Sequence, residues 1–577
     1  MELKLKSLTP IHIGNGEELY ELDYVVHSGK FYRITQKKFL EFIKSDKDLV
    51  NKYALWVSEK STDIQELEEK KKNENDKNRR LDYNQTLTTL RKEFSLDKFC
   101  QANNQRDNFI RFLNFNCNGI SSSMPEGKGQ VRGHIKDGKE RFYLPGTSIK
   151  GAIRSAIIYD LLQLPENRQK IQSSLIFQLN DLERVSDQRY LDKAKKKFAD
   201  EVEQHLVYCA VETEGNRIKK DDEKFDVFKL LSVSDAYSSE NDCNLYKINL
   251  YLVEKIHNNT SVTTKATEQK QAPYVETFGS DNEFIVQLDF NIDFVLSIKN
   301  LIVEKEGEKS FVLQNGKKTW IGIKEKLEQV FGIKISELNI ENKEEIKENI
   351  LRRILSLIAV FSKKQKEADQ KWADNFVRHD SDRKFGSKIT KGFDAISKTE
   401  FVLHMGYATG FNGITEILAL KEDDSLKPLL KRYMEKFLIG DKPGAAKTRR
   451  HGDEYTANPD NFPKSRRLAV TGNDIITPLG WLQIMNFQEK ETVEEEKKVE
   501  IQYPRGTVKQ RTEVMATVIK SGIPNKVKVH IRPDYEPELD ITGYRAALPI
   551  EKEGKPLWVV VQQISKDKIT QISFSKF

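Results

Sequence analysis

Tyr143-Leu144-Pro145-Gly146-Thr147-Ser148-Ile149-Lys150-Gly151-Ala152-Ile153-Arg154-Ser155-Ala156-Ile157 is the stretch from which the rest of the chain can be read. Pro145-Gly146 signals a turn and Thr147 or Ser148 a helix N-cap. Beyond them Ile149, Ala152, Ile153, Ala156 and Ile157 recur with helical spacing, which predicts a helix with one apolar face. Thr147, Gly151 and Ser155 form a strip of small residues four apart, with Lys150 and Arg154 one turn apart beside it. A strip without bulk lets another backbone come close. A helix N-terminus flanked by two cations is a seat for a phosphodiester chain. The same pattern also describes an amphipathic surface helix whose cations are only solvated.

On the N-terminal side, Met1 to Leu8 alternates as a strand and runs into Thr9-Pro10-Ile11-His12-Ile13-Gly14. Tyr20 to Ile34 reads as two short strands around Ser28-Gly29, and Gln36 to Lys44 as a helix, the opening of a ferredoxin-like or RRM-like α/β sandwich. A charged helical segment over 55–100 reads as an insertion with a solvated face. Phe109 to Phe115 is a strand candidate, and 121–138 is a long Ser/Gly-rich loop from which Arg132, His134 and Lys136 can contact a polyanion or simply keep the loop soluble.

On the C-terminal side, a second charged helical insertion covers 160–205. Strands are expected over Phe225 to Ala236 and Leu245 to Leu252, an exposed polar connector over Thr260 to Ala272, and a strand through the alternating Phe284 to Phe294. A second block starts near Val295, with helices at Ile321 to Phe331 and Glu344 to Phe361, a glycine-punctuated loop through Gly406, Gly410 and Gly413, and a helix at Leu426 to Leu438. After the charged run 489–500, four short strands, one of them Gly543 to Pro549, suggest a small OB-like barrel. The expected class is α+β: domains at 1–294 and 295–488, and a β-barrel at 501–577.

The chain has 577 residues, more than one core usually supports, and no apolar run of membrane-spanning length. A cytoplasmic protein without a membrane role is expected. Four scattered cysteines without CxxC spacing point to no zinc site, and no cofactor is expected. The net charge is +7; residues 501–577 hold 13 Lys/Arg and 8 Asp/Glu, a surplus of 5, which leaves 7 − 5 = 2 for the remainder. A polyanion site must therefore come from local clustering.

Gly406 and Gly410 lie in neither a GxxxxGK[ST] nor a dinucleotide pattern, so nucleotide hydrolysis is disfavoured. Glycines there let the main chain lie along a sugar-phosphate backbone with Tyr407 and Phe411 available to stack, or they make an ordinary tight loop. His12 is the one candidate catalyst, as a general base for attack by a ribose 2′-hydroxyl; a histidine hydrogen-bonded into the structure is the other reading. Ser234-Asp235 has no second carboxylate beside it, so an anchoring role for Asp235 is favoured over a metal. Arg466 and Arg467 suit phosphate contact or surface solubility.

Thr9 to Gly14, Leu144 to Arg154, Val233-Ser234-Asp235 and the 406–413 loop resemble, in matching order, the RAMP superfamily of CRISPR proteins. Pro463-Lys464-Ser465-Arg466-Arg467-Leu468 and Pro478-Leu479-Gly480-Trp481 look like the fifth-subunit family of type III-A (Csm) effector complexes. The resemblance covers 1–485 with gaps. It implies two RRM-like domains in a non-catalytic, RNA-binding subunit that caps the 3′ side of the CRISPR RNA guide. It also implies contacts with the repeating backbone subunit and the small subunit, and support for guide maturation by trimming host nucleases. Ser148, Lys150, Gly151, Arg154, Arg132, Gly406, Tyr407, Gly410, Phe411, Arg466 and Arg467 are the expected RNA contacts. Ala408 stands where the family loop often has glycine, and the insertions and the tail after 500 depart from shorter relatives. A metal-independent repeat endoribonuclease using His12 and a protein-only assembly scaffold remain the alternatives.

Overall fold

The structure is a computed structural model that describes residues 1–117, 119–122, 124, 131–182, 190, 202–213, 217–219, 225–238, 243–257, 262–269, 273–314, 316–410, 417–436, 459, 463–471, 475–485, 504, 508–520, 525–532, 535–541, 556–565 and 568–574. Phe411, Gly413 and the expected strand Gly543 to Pro549 lie outside these residues. The chain divides into two compact units, Met1–Phe487 and Gln488–Phe577.

Glu2–Ser7 alternates exposed and buried positions and pairs antiparallel on both edges, with Glu283–Phe290 and with Trp481–Ile484. The resulting five-stranded sheet runs Val402–His404, Trp481–Ile484, Glu2–Ser7, Glu283–Phe290, Leu231–Val233. The first and last fifths of the larger unit thus meet on one strand. A second sheet runs Ile475–Thr477, Ser465–Thr471, Cys243–His257, Tyr274–Phe278, Val131–His134, Gly14–Leu19, and Val262–Gln269 also pairs with Cys243–His257. One large core contains Leu5 and Val286 from the first sheet, Ile149, Ile153 and Ile157 from the 146–161 helix, and Ile350 and Ile354 from the long helix Lys343–His379.

Several expectations change. Phe109 to Phe115 belongs to a helix, Arg106–Asn116, because Phe109 and Leu113 bury together one turn apart; a short apolar run does not distinguish the two periods. Residues 131–134, expected in a loop, are a strand. Thr260 to Ala272 contains the strand Val262–Gln269, since the long partner strand offers it an open edge. The alternating run ends at Phe290, and Ile292 and Phe294 lie in a following helix, Ile292–Lys299, capped by Asn291. The hairpin around Ser28-Gly29 forms as expected, with both turn residues at positive φ. The first insertion is a lobe of helices, including Lys47–Asn73 and Lys77–Glu93, with its own aromatic core around Phe39, Phe99 and Phe109.

The smaller unit is a five-stranded antiparallel sheet whose edges approach closure through an Ile541–Ile572 bridge, a nearly closed barrel. Its own core includes Val514, Val518, Val529, Val559 and Ile572. No helix among the described residues is long and apolar enough to cross a membrane.

Candidate RNA interface

The helix Gly146–Leu161 buries Ile149, Ile153, Ala156 and Ile157 as its periodicity requires. Its start differs from expectation. Pro145 occupies the cap position without a side-chain bond, and Asp235 Oδ1 takes the Gly146 N–H at 2.7 Å. Asp235 is therefore the anchor, supplied from a distant segment. Gly146 is required there: a Cβ would lie 2.2 Å from the Val233 carbonyl oxygen. The two cations are engaged by the protein itself. Lys150 Nζ donates to the Leu231 carbonyl at 2.6 Å, and burial pulls its pKa down. Arg154 bonds Glu203 at 2.7 Å and Asp226 at 2.7 Å, and lies 4.8 Å over the Phe228 ring. Burial opposes its charge, but Asp226 and Glu203 outweigh it and raise the pKa. The expectation of two free cations is corrected: polar groups trapped where the helix meets Leu231–Val233 must find partners, and these are the ones in reach. Gly151 remains exposed with open space beside it, and Ser148 is half-buried in the first turn.

A different set converges. In the second sheet Arg132 pairs with Val275, Val275 with Tyr246, and Leu250 with Arg467, so strand alternation puts these residues and Ile248 and Ala469 on one face. Ile248, Val275, Ala469 and Leu479 form a small apolar cluster, against which Tyr407 and Ala408 of the glycine-punctuated loop pack. The Tyr407 ring lies 5.3 Å from the Arg132 guanidinium and 5.8 Å from that of Arg467. Among the described residues neither arginine forms an ion pair, and Arg467 is exposed. Two unpaired guanidinium groups beside one aromatic ring can hold phosphates while the ring stacks on a base.

The loop is held by His12. Tyr407 N–H donates to the His12 carbonyl at 2.8 Å, and the two rings meet edge to face at 5.4 Å. Gly406 has φ 87, and a Cβ there would lie 2.7 Å from the His12 carbonyl oxygen. Ala408 also has positive φ, 67, and Gly410 has 71, so the position where the family often has glycine keeps a glycine-like backbone. His12 is 1% exposed; Nδ1–H donates to the Glu276 carbonyl at 2.6 Å, and burial lowers its pKa to about 4. It is therefore neutral at pH 7 and buried, with one ring nitrogen spent on the main chain.

His134, read from the sequence as either a polyanion contact or a solubilising loop residue, is fully buried. Its Nδ1 accepts from Ile13 N–H at 3.1 Å, Nε2–H donates to the Tyr143 carbonyl at 3.2 Å, and burial lowers its pKa to about 3. It links the His12 loop to the segment that opens the 146–161 helix. Arg466 is likewise corrected: it pairs with Asp369 at 2.9 Å, with side chains 10% and 11% exposed, while its neighbour Arg467 points to the other face. Sequence reading missed Tyr246, which shares the face with Arg132; the alternation of Leu245 to Leu252 carried that signal. It missed the Tyr143–Tyr237 pair, stacked at 5.6 Å, because the two residues are far apart in the chain.

The family model described as RAMPs, the RAMP superfamily, matches residues 4–500. The chain belongs to the RAMP superfamily. This RAMP chain is 29% identical over 251 residues to a protein named "CRISPR system Cms protein Csm5" from Methanocaldococcus jannaschii, a match over 42% of this chain and 44% of the relative. The match thus spans less than half of that relative's length. Among solved structures, the chain is similar to one from a type III-A Csm–crRNA–target RNA ternary complex, with 17% identity, TM-score 0.47, and coverage of 84% of this chain and 100% of the other. It is also similar to Csm5 of T. onnurineus, with 16% identity, TM-score 0.44, and coverage of 83% and 99%.

Proposed function

We propose that the chain is a non-catalytic RNA-binding subunit of a type III-A CRISPR ribonucleoprotein. In this reading it has two RRM-like halves, lies at the 3′ side of the guide, contacts the repeating backbone and small subunits, works in the cytoplasm, and supports trimming of the guide by host nucleases. Membership of the RAMP superfamily and the resemblance to a protein named Csm5 support it. The observation that carries it is the convergence of Arg132, Arg467 and Tyr407 on one sheet face, with no carboxylate paired to either arginine among the described residues. Gly406 and Gly410 let the backbone of this loop follow an RNA strand, and Ser148 and Gly151, on the open side of their helix, are further contacts in this reading. Lys150, Arg154 and Arg466 hold the scaffold.

Filter binding of single-stranded guide RNA tests this reading. Replacing Arg132 and Arg467 together by Ala is expected to weaken binding about tenfold or more near physiological salt and to flatten the salt dependence by roughly two phosphates' worth. Tyr407→Ala is expected to cost about 1–3 kcal/mol with little change in salt slope. Unaltered affinity in the double variant would contradict the placement and favour a protein-only scaffold. Repeat RNA cut in EDTA by the parent chain and spared by His12→Ala would make the chain an endoribonuclease instead.

A further inference from the structure

Away from the Tyr407 face, a polar cleft of about 560 Å3 lies between the strand Lys30–Arg33, the helix Arg106–Asn116 and residues 136–142. Lys30, Arg33, Lys38 and Lys136 line it, against one lining carboxylate, Glu140. Two of these cations are neutralised: Lys38 meets Glu140 at 3.2 Å, and Arg33 meets the buried Glu276 at 3.0 Å. The other two lack such a contact, and Glu276 and Glu140 favour the Lys136 charge without pairing with it. Among the described residues Lys136 and Lys30 form no ion pair; Lys136 Nζ sits 4.2 Å over the Phe142 ring, and burial pulls its pKa down. An ammonium group held in this way gains from a bound anion.

The remaining wall is suited to more than a bare ion. Tyr32 O–H donates to Asn114 Oδ1 at 2.7 Å, and the Asn116 amide stands beside it at the rim. Asn116 Nδ2 donates one N–H to the Phe112 carbonyl at 3.0 Å, which leaves its second N–H and its oxygen, and Asn114 keeps its NH2 group and a second lone pair, so a donor and an acceptor are still on offer to a purine edge. Gly119 lets the Tyr32 ring pack against its backbone, because a Cβ would lie 2.8 Å from that ring. The volume falls in the range of small-molecule sites.

We propose that this cleft binds a phosphate-bearing purine nucleotide unit, with the phosphate on Lys136 and Lys30 and the base edge at Asn114 and Asn116. The unit is either a free nucleotide or the phosphorylated end of an RNA strand. None of these residues belongs to the Tyr407 face, so the site stands or falls independently of guide binding there.

Calorimetric titration of the full chain with AMP, adenosine and inorganic phosphate at about 50 mM salt tests it. AMP is expected to bind saturably at one site, adenosine about tenfold more weakly, and Lys136→Met and Lys30→Met each about fivefold more weakly than the parent. Lys30 is exposed, so its variant reports on binding even where Lys136→Met fails to fold. Short RNAs with a 5′- or 3′-phosphate, compared with hydroxyl-ended ones, identify the source: competition with AMP assigns the site to an RNA end, and its absence to a free nucleotide. No saturable binding of AMP or either phosphorylated RNA, or parent-like AMP affinity in a folded Lys30→Met chain, overturns the proposal.

Discussion

Arg154 and Arg467 show how differently two arginines of the same expected role are used. Arg154 ties Glu203 and Asp226 together at 17% side-chain exposure, so Arg154→Ala strands two carboxylates. It is expected to cost about 2 kcal/mol of stability in urea unfolding, whereas Arg467→Ala stays within about 0.5 kcal/mol. Equal midpoints for the two variants would refute this assignment. The buried histidines give a pH dependence. Burial lowers His12 to about 4, His134 to about 3 and His404 to about 4. In the unfolded chain each titrates near 6.5, so the unfolded state takes up protons first. The neutral-histidine contribution is complete above about pH 6.5 and is lost as pH falls toward 4 and then 3. The urea midpoint is expected to drop steadily across that window, and a flat profile from about pH 6.5 to 4 would contradict it.

Among the elements, the 146–161 helix was legible because its apolar residues follow one period over several turns. Its N-terminal cap was not, since Asp235 arrives from the segment that follows the Leu231–Val233 strand. Gly146→Ala pushes a methyl group into the Val233 carbonyl and is expected to cost about 2–3 kcal/mol, measured by thermal unfolding. Gly151→Ala meets open space and is expected to be neutral or slightly stabilising, by up to about 1 kcal/mol. The Phe109 to Phe115 run was misread because six or seven apolar and polar residues fit either period; the helix followed from packing Phe109 against Phe39 at 5.4 Å. The 131–134 strand was hidden by the glycines around it, and its pairing with Tyr274–Phe278 on one edge and Gly14–Leu19 on the other sets which way Arg132 faces.

For the whole molecule, each unit has a core of its own, and among the described residues the barrel's core is built from Val508 and residues after it. Residues 488–577 expressed alone are expected to unfold cooperatively on thermal denaturation; a featureless melt would show that the barrel depends on the larger unit. Within that larger unit, Glu2–Ser7 bridges strands from the unit's middle and its end. Losing it is expected to disrupt both neighbours.

Local periodicity, turn residues and the ordered motifs were enough to determine an α+β RAMP chain with a terminal β unit, because those signals depend on neighbours a few residues away. Which charges remain available was decided by the tertiary structure. Lys150, Arg154 and Arg466 are as cationic in the sequence as Arg132 and Arg467. A charge is free or spent according to whether folding brings a carboxylate or carbonyl within bonding distance, and those partners come from distant parts of the chain.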